Sequence, residues 1–156
     1  MRLLHLPASA LLLAASACTP GGLPASGSGG TSPTSVVIDA NLTNYGPAST
    51  PAGEGGGYSR LVATVTVGTT IVFMNTDGFA HTATSVPGGA TTFPSAFPFT
   101  SAALQQSGHL LSQGWSSGDM QAGVSSQVLL ADKAGTYLFG CFHHYGAPMR
   151  GEIVVH

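Results

Sequence analysis

The chain has 156 residues, of which only 6% are charged, with 4 Lys+Arg against 6 Asp+Glu, and two are cysteines. A globular domain normally carries about a quarter charged residues, so the basic footprint that nucleic acid requires is absent. Length predicts one domain, and 22 Gly and 10 Pro beside 43% hydrophobic residues argue for short strands and many turns over a helical bundle.

Residues 1–17 read as an export signal. Met1-Arg2 supplies the charged start, and an apolar run through Leu11-Leu12-Leu13 ends in Ala15-Ser16-Ala17 directly before Cys18. The run is too short to cross a bilayer as a mature helix. Its end satisfies a small-residue cleavage rule and also resembles the lipobox of bacterial lipoproteins. That resemblance implies an acylated Cys18, and the two readings cut the same bond. Residues 19–34 are rich in Gly, Pro, Ser and Thr and cannot build a core. As a flexible coil they would span about 20–24 Å. The expected layout is therefore a signal peptide over 1–17, a lipidated Cys18 with its tether over 18–34, and a folded domain over 35–156. The protein is expected to be exported and held by Cys18 at the extracytoplasmic face of a membrane, in the periplasm or at the cell surface. After cleavage, Arg60, Lys133 and Arg150 face six acidic side chains, a net charge of −3.

The remainder reads as strands. Residues 35–39 are β-branched, and 61–67 alternate Leu61, Ala63, Val65 and Val67 on one face with Val62, Thr64 and Thr66 on the other. Gly68-Thr69 reverses the chain into 71–74. Further strands are expected over 80–85, 127–130, 136–139 and 151–155. Seven or eight short strands punctuated by turns predict an all-β sandwich. One short helix fits 101–111. Two loops are long, 44–58 and 86–125, and loops of that length are functional or folded on themselves. The aromatic run Phe93, Phe97 and Phe99 in the second loop could dock a partner or cover one end of the sandwich.

The chemistry concentrates near the C-terminus. Cys141, His144 and Met149 share one segment, and His81 stands in a turn that leaves the 71–74 strand. Two imidazoles and a thiolate in a plane, with a weak axial thioether, suit both Cu(II) and Cu(I) and form the ligand set of a blue-copper electron-transfer site. His143 could compete with His144, but the two-residue gap after Cys141 favours His144 and turns His143 the other way along an extended segment. Met74 reads as core, Met120 has no ligand nearby in sequence, and His109 and His156 fit no ligand spacing.

The motifs Asn75-x-x-Gly78-Phe79-x-His81 and Tyr137-x-Phe139-x-Cys141-x-x-His144-x-x-x-x-Met149-x-Gly151-x-Ile153-x-Val155 resemble the plastocyanin-like cupredoxins, the type 1 blue copper proteins. The segment 65–75 and the turn Ala134-Gly135-Thr136-Tyr137 share the likeness, whereas the two long loops do not. The resemblance implies a Greek-key β-sandwich with one copper at its end, bound by His81, Cys141, His144 and Met149. It also implies a one-electron shuttle whose port is the solvent edge of His144. Asn75 and Thr82 are candidates to hydrogen-bond across the two loops and fix the thiolate, or to serve ordinary turn and strand polarity. Phe79, Gly146, Ala147 and Pro148 are candidates for an uncharged docking patch around His144. With Cys18 assigned to lipid and Cys141 to copper, no disulfide is expected.

No His-x-His or Cys-x3-Cys pair accompanies these ligands, which excludes a dinuclear oxidase-type copper centre, and no His-Glu-x-x-His or phosphate loop is present. The expectation is a monomeric, non-enzymatic carrier serving redox proteins such as a cytochrome or a membrane oxidase or reductase complex. Copper sequestration without a redox partner is the alternative.

Overall fold

In a computed structural model the described residues are 34–156; the expected signal, Cys18 and all of the tether except Thr34 lie outside them. Eleven strands follow in chain order: β1 (Ser35–Ala40), β2 (Ala48–Thr50), β3 (Gly53–Gly55), β4 (Val62–Val65), β5 (Thr70–Asn75), β6 (Thr84–Ser85), β7 (Gln106–Ser107), β8 (Ser116–Ser117), β9 (Leu129–Leu130), β10 (Gly135–Gly140) and β11 (Arg150–Val155). One sheet runs β1-β5-β9, a second runs β4-β11-β10-β6-β8-β7, and β2 and β3 form a separate hairpin. The β1/β5 and β4/β11 pairs are parallel, so the chain crosses between the sheets to make them, and the other pairs are antiparallel.

Alternating burial gives each sheet one inward face. In β5, Ile71, Phe73 and Asn75 are buried between half-exposed Thr70, Val72 and Met74. From the other sheet, Ala63, Val65, Phe139, Ile153 and Val155 meet Ile38, Ile71, Phe73 and Leu129 in one core. Period-two patterning and a shared apolar interior make this an all-β sandwich, the expected fold. Phe73 packs edge-on to Phe139 at 5.0 Å and stacks on Trp115 at 5.3 Å, while Tyr58 meets Phe139 at 4.9 Å. Each such contact is worth about 0.5–1.5 kcal/mol beyond the area it buries.

All seven expected strands form, some of them shorter than their sequence patterns. The four extra ones, β2, β3, β7 and β8, fold the two long loops back on the sandwich. Val67 is 51% exposed, because the chain turns at Gly68 before that side chain reaches the core. Over 80–85 only Thr84–Ser85 pairs as a strand. The preceding amides are taken by other acceptors, Thr82 N by Cys141 Sγ and Ala83 N by Ser117 Oγ. The helix expected over 101–111 does not form. Two 3-10 turns, Ser101–Leu104 and Leu111–Gln113, flank β7 instead, the first capped by Thr100, which accepts from Ala102 N. Gly108 at φ +67° then reverses the chain, a conformation unsuited to a helix interior. Phe93 and Phe99 are buried as covers, whereas Phe97 stays 51% exposed with its ring against Phe99, Phe142 and Tyr145. Met74, expected in the core, is half-exposed because it falls on the outward register of β5.

Candidate metal centre

Two segments reach one end of the sandwich. The first leaves β5 and carries His81; the second joins β10 to β11 and carries Cys141, His144 and Met149. Cys141 Sγ lies 3.8 Å from His81 Nδ1 and 3.7 Å from His144 Nδ1. The three ligand atoms all fall within 4.8 Å of one another, close enough to share one ion. His81 and Cys141 are fully buried and His144 is partly so. A buried thiol between two imidazole nitrogens fits copper in either oxidation state, the thiolate and imidazoles being soft and borderline donors.

The short loop to Met149 is closed by its own backbone. Cys141 N donates to Met149 O at 3.0 Å, and Met149 N and Ala147 N both donate to His144 O, at 3.0 and 2.9 Å. These bonds return the chain to β11 with Met149 fully buried. On its far side sits Gly57, whose backbone at φ +72° is open to glycine and rare for other residues. A β-carbon there would lie 2.4 Å from Met149 Cγ and 3.1 Å from Sδ.

Thr82 joins the two segments. Its amide donates to Cys141 Sγ at 3.3 Å and its hydroxyl accepts from Phe142 N at 2.8 Å, while its carbonyl accepts from the buried Tyr58 hydroxyl at 2.7 Å. Asn75 ties the first segment to Met120 of the 86–125 loop and makes no hydrogen bond to the thiol. Its side-chain amide donates to Phe79 O and Met120 O, both at 2.8 Å, and its carbonyl accepts from Asp77 N at 2.9 Å. Met120 in turn pairs through its backbone with His81, N to O in both directions at 3.1 and 2.8 Å. That pairing makes Met120 a backbone support for His81.

Asp77 had no assigned part in the sequence reading, although its spacing four residues before His81 is the usable signal. Its Oδ2 lies 3.2 Å from His81 Nε2. A carboxylate at Nε2 holds the proton there and leaves Nδ1 free to face the thiol. Asp77 also accepts from Leu42 N, Thr43 N and Gly78 N. Burial alone would raise the Asp77 carboxyl, but bonds from Gly78, His81 and Thr43 bring it down to about 2. Burial lowers His81 despite the opposing pull of Asp77. Burial, then repulsion from His81 and His143, lowers His144. Both rings are thus biased to the neutral, metal-binding form. The Cys141 thiol is raised by burial against the amide of Thr82, so a metal must displace its proton.

The remaining residues fall around this cluster. His143 turns outward, its Nε2 2.7 Å from Asp119 Oδ1. Phe79, 46% exposed, lies 4.9 Å ring to ring from His81 and 5.4 Å from His144. In the same segment as His144, Gly146 and Ala147 are exposed and Pro148 is half-buried. Sequence reasoning missed Asp77, Tyr58 and Gly57; the run Gly55-Gly56-Gly57 was the visible sign of the last.

Comparison with known proteins agrees with this site. Residues 57–156 match the family model described as copper binding proteins, plastocyanin/azurin family. Similar solved structures include a Cu(I) amicyanin variant at 18% identity, with a TM-score of 0.49 and coverage of 78% of this chain and 82% of that one. Another Cu(I) amicyanin variant has 19% identity, a TM-score of 0.48 and coverage of 81% and 87%. A purple cupredoxin from Nitrosopumilus maritimus has 21% identity, a TM-score of 0.45 and coverage of 77% and 98%. Comparison with the curated proteins finds no match.

Proposed function

The chain belongs to the plastocyanin/azurin family of copper-binding proteins, and on that premise we propose that it carries single electrons between redox partners outside the cytoplasm. The observation that supports this reading most is the pair of imidazole nitrogens 3.7 and 3.8 Å from a buried thiol, one of the two rings open to solvent. Copper, when bound, supplies the one-electron Cu(II)/Cu(I) couple. His81, Cys141, His144 and Met149 would hold it.

The chain's own residues do the rest. Thr82 fixes the thiol from the opposite loop, Asp77 fixes the His81 ring, and the His144–Ala147 and His144–Met149 backbone bonds fix the third ligand. Holding every donor in place before and after the electron moves keeps reorganisation small. Burial of Cys141 and Met149 excludes water from the thiol, and the exposed edge of His144 is the route by which the electron enters and leaves. Phe79, Gly146, Ala147 and Pro148 would seat a partner such as a cytochrome or a membrane oxidase or reductase. The reading includes a lipid anchor at Cys18 that keeps a monomeric, non-enzymatic carrier at the extracytoplasmic surface of a membrane.

An absorption and paramagnetic resonance spectrum of the copper-loaded protein, followed by a reversible potential measurement, tests this. An intense blue or purple thiolate-to-copper band and reversible one-electron cycling are expected. A colourless Cu(II) complex would overturn the electron-transfer reading in favour of sequestration.

A further inference from the structure

Glu152 is 2% exposed, and its side chain makes no hydrogen bond or ion pair among the described residues; its Oε1 is buried without a partner. It sits on the outward register of β11, two positions from Arg150, yet that guanidinium is engaged elsewhere. Arg150 Nε donates to Tyr145 O at 3.0 Å, and its charged carbon lies 4.4 Å above the Tyr145 ring. A carboxyl oxygen left buried without a partner is costly, so a site that keeps one calls for a hydrogen-bond donor.

Glu152 is among the residues that line a cavity of about 380 Å³, with Pro51, Ala52, Ala90, Thr91 and Thr136. Sheet residues Thr136 and Glu152 form its floor. The β2–β3 turn and residues 89–91 of the second long loop form its walls. The cavity is too roomy to clasp a bare ion, a water-sized occupant needing only about 30 Å³. It also offers one carboxylate and two hydroxyls where calcium takes six to eight oxygens. Apolar walls around one buried anion suit a cation that carries hydrocarbon with it.

We propose that this cavity binds a small organic cation, a primary ammonium on a short apolar arm, with Glu152 as its counter-ion and Thr91 and Thr136 as hydroxyl acceptors. The site is separate from the copper ligands and stands whether or not copper serves electron transfer.

The test is a titration of n-butylammonium chloride into the Cu(I)-loaded, 15N-labelled full chain at constant ionic strength, with calcium chloride and sodium chloride in parallel. Saturable amide shifts confined to residues 52, 89–91, 136 and 152 are expected with butylammonium. Affinity should fall by about tenfold or more in Glu152→Gln. It should fall likewise in Ala90→Leu, which fills the cavity and keeps the carboxylate, so the result does not depend on one variant folding. Absence of saturation, equal binding by Glu152→Gln and Ala90→Leu, or saturation by calcium but not by butylammonium would overturn it.

Discussion

Gly57 stands against Met149 so closely that a β-carbon on it would lie 2.4 Å from the methionine Cγ. The Gly57 amide donates to Tyr45 O at 2.6 Å and its carbonyl accepts from Asn41 N at 2.8 Å, so the 44–58 loop has little freedom to retreat. The only soft party is the Met149 side chain. Gly57→Ala should therefore displace the thioether and strain a left-handed backbone, costing about 1–3 kcal/mol of stability. Thermal unfolding of the metal-free protein reads the second effect, and the copper absorption and resonance spectra read the first. Unchanged spectra with lowered stability would mean that Gly57 matters to the fold alone.

This contact shows where the sequence was legible and where it was not. The ligand spacing of Cys141, His144 and Met149 could be read because one loop carries all three, and the strands that frame them keep period-two patterns. The expected helix at 101–111 failed because Gly108 and the β7–β8 pairing are tertiary choices invisible to local propensity. Gly57 and Tyr58 escaped for a related reason. A glycine run reads as a loop until the side chain it makes room for is known, and a tyrosine hydroxyl gains meaning only when the Thr82 carbonyl is 2.7 Å away.

Asp77→Asn should raise the copper potential. The carboxylate beside His81 Nε2 favours the more positive metal, and its removal costs the oxidised state on the order of 1–2 kcal/mol relative to the reduced one. Loss of the charge-assisted bonds to Leu42 and Thr43 should also lower stability by about 1–3 kcal/mol. Voltammetry showing an unmoved or lowered potential would contradict this.

The metal-free protein should lose stability steadily on acidification. His81 and His144 have lowered folded-state values, so the unfolded chain binds their protons first and stability falls as pH drops below the ordinary histidine value of 6.5. Asp77, at about 2 against an ordinary 3.8, adds a second loss as pH falls from about 4 towards 2. Denaturant titrations across this range check the sign. A midpoint that stays level from about pH 7 to 3 would be inconsistent with both.

Cys141 and Met149 should separate by spectrum. Cys141→Ala removes the sulfur that gives the charge-transfer band, so colour should vanish even if copper still binds the two imidazoles. Met149→Leu keeps the thiolate and both nitrogens, so colour should persist while the potential shifts, as expected for a weak axial donor. Retained intense colour in Cys141→Ala would displace the thiol from the ligand set.

Electron exchange should depend weakly on ionic strength. Electrostatic steering needs a field of one sign, and the exposed residues Phe79, Gly146 and Ala147 near His144 are all uncharged. The exposed acid Asp119 is hydrogen-bonded to His143 at 2.7 Å. An apolar patch instead makes encounter sensitive to shape and to bulk at its centre. Ala147→Glu should therefore slow exchange with an acidic partner and introduce a salt dependence that the native protein lacks, while leaving the copper spectrum in place. Stopped-flow rates at roughly 10 mM and 500 mM salt decide it. A steep salt dependence in the native protein would show that charges remote from His144 govern docking.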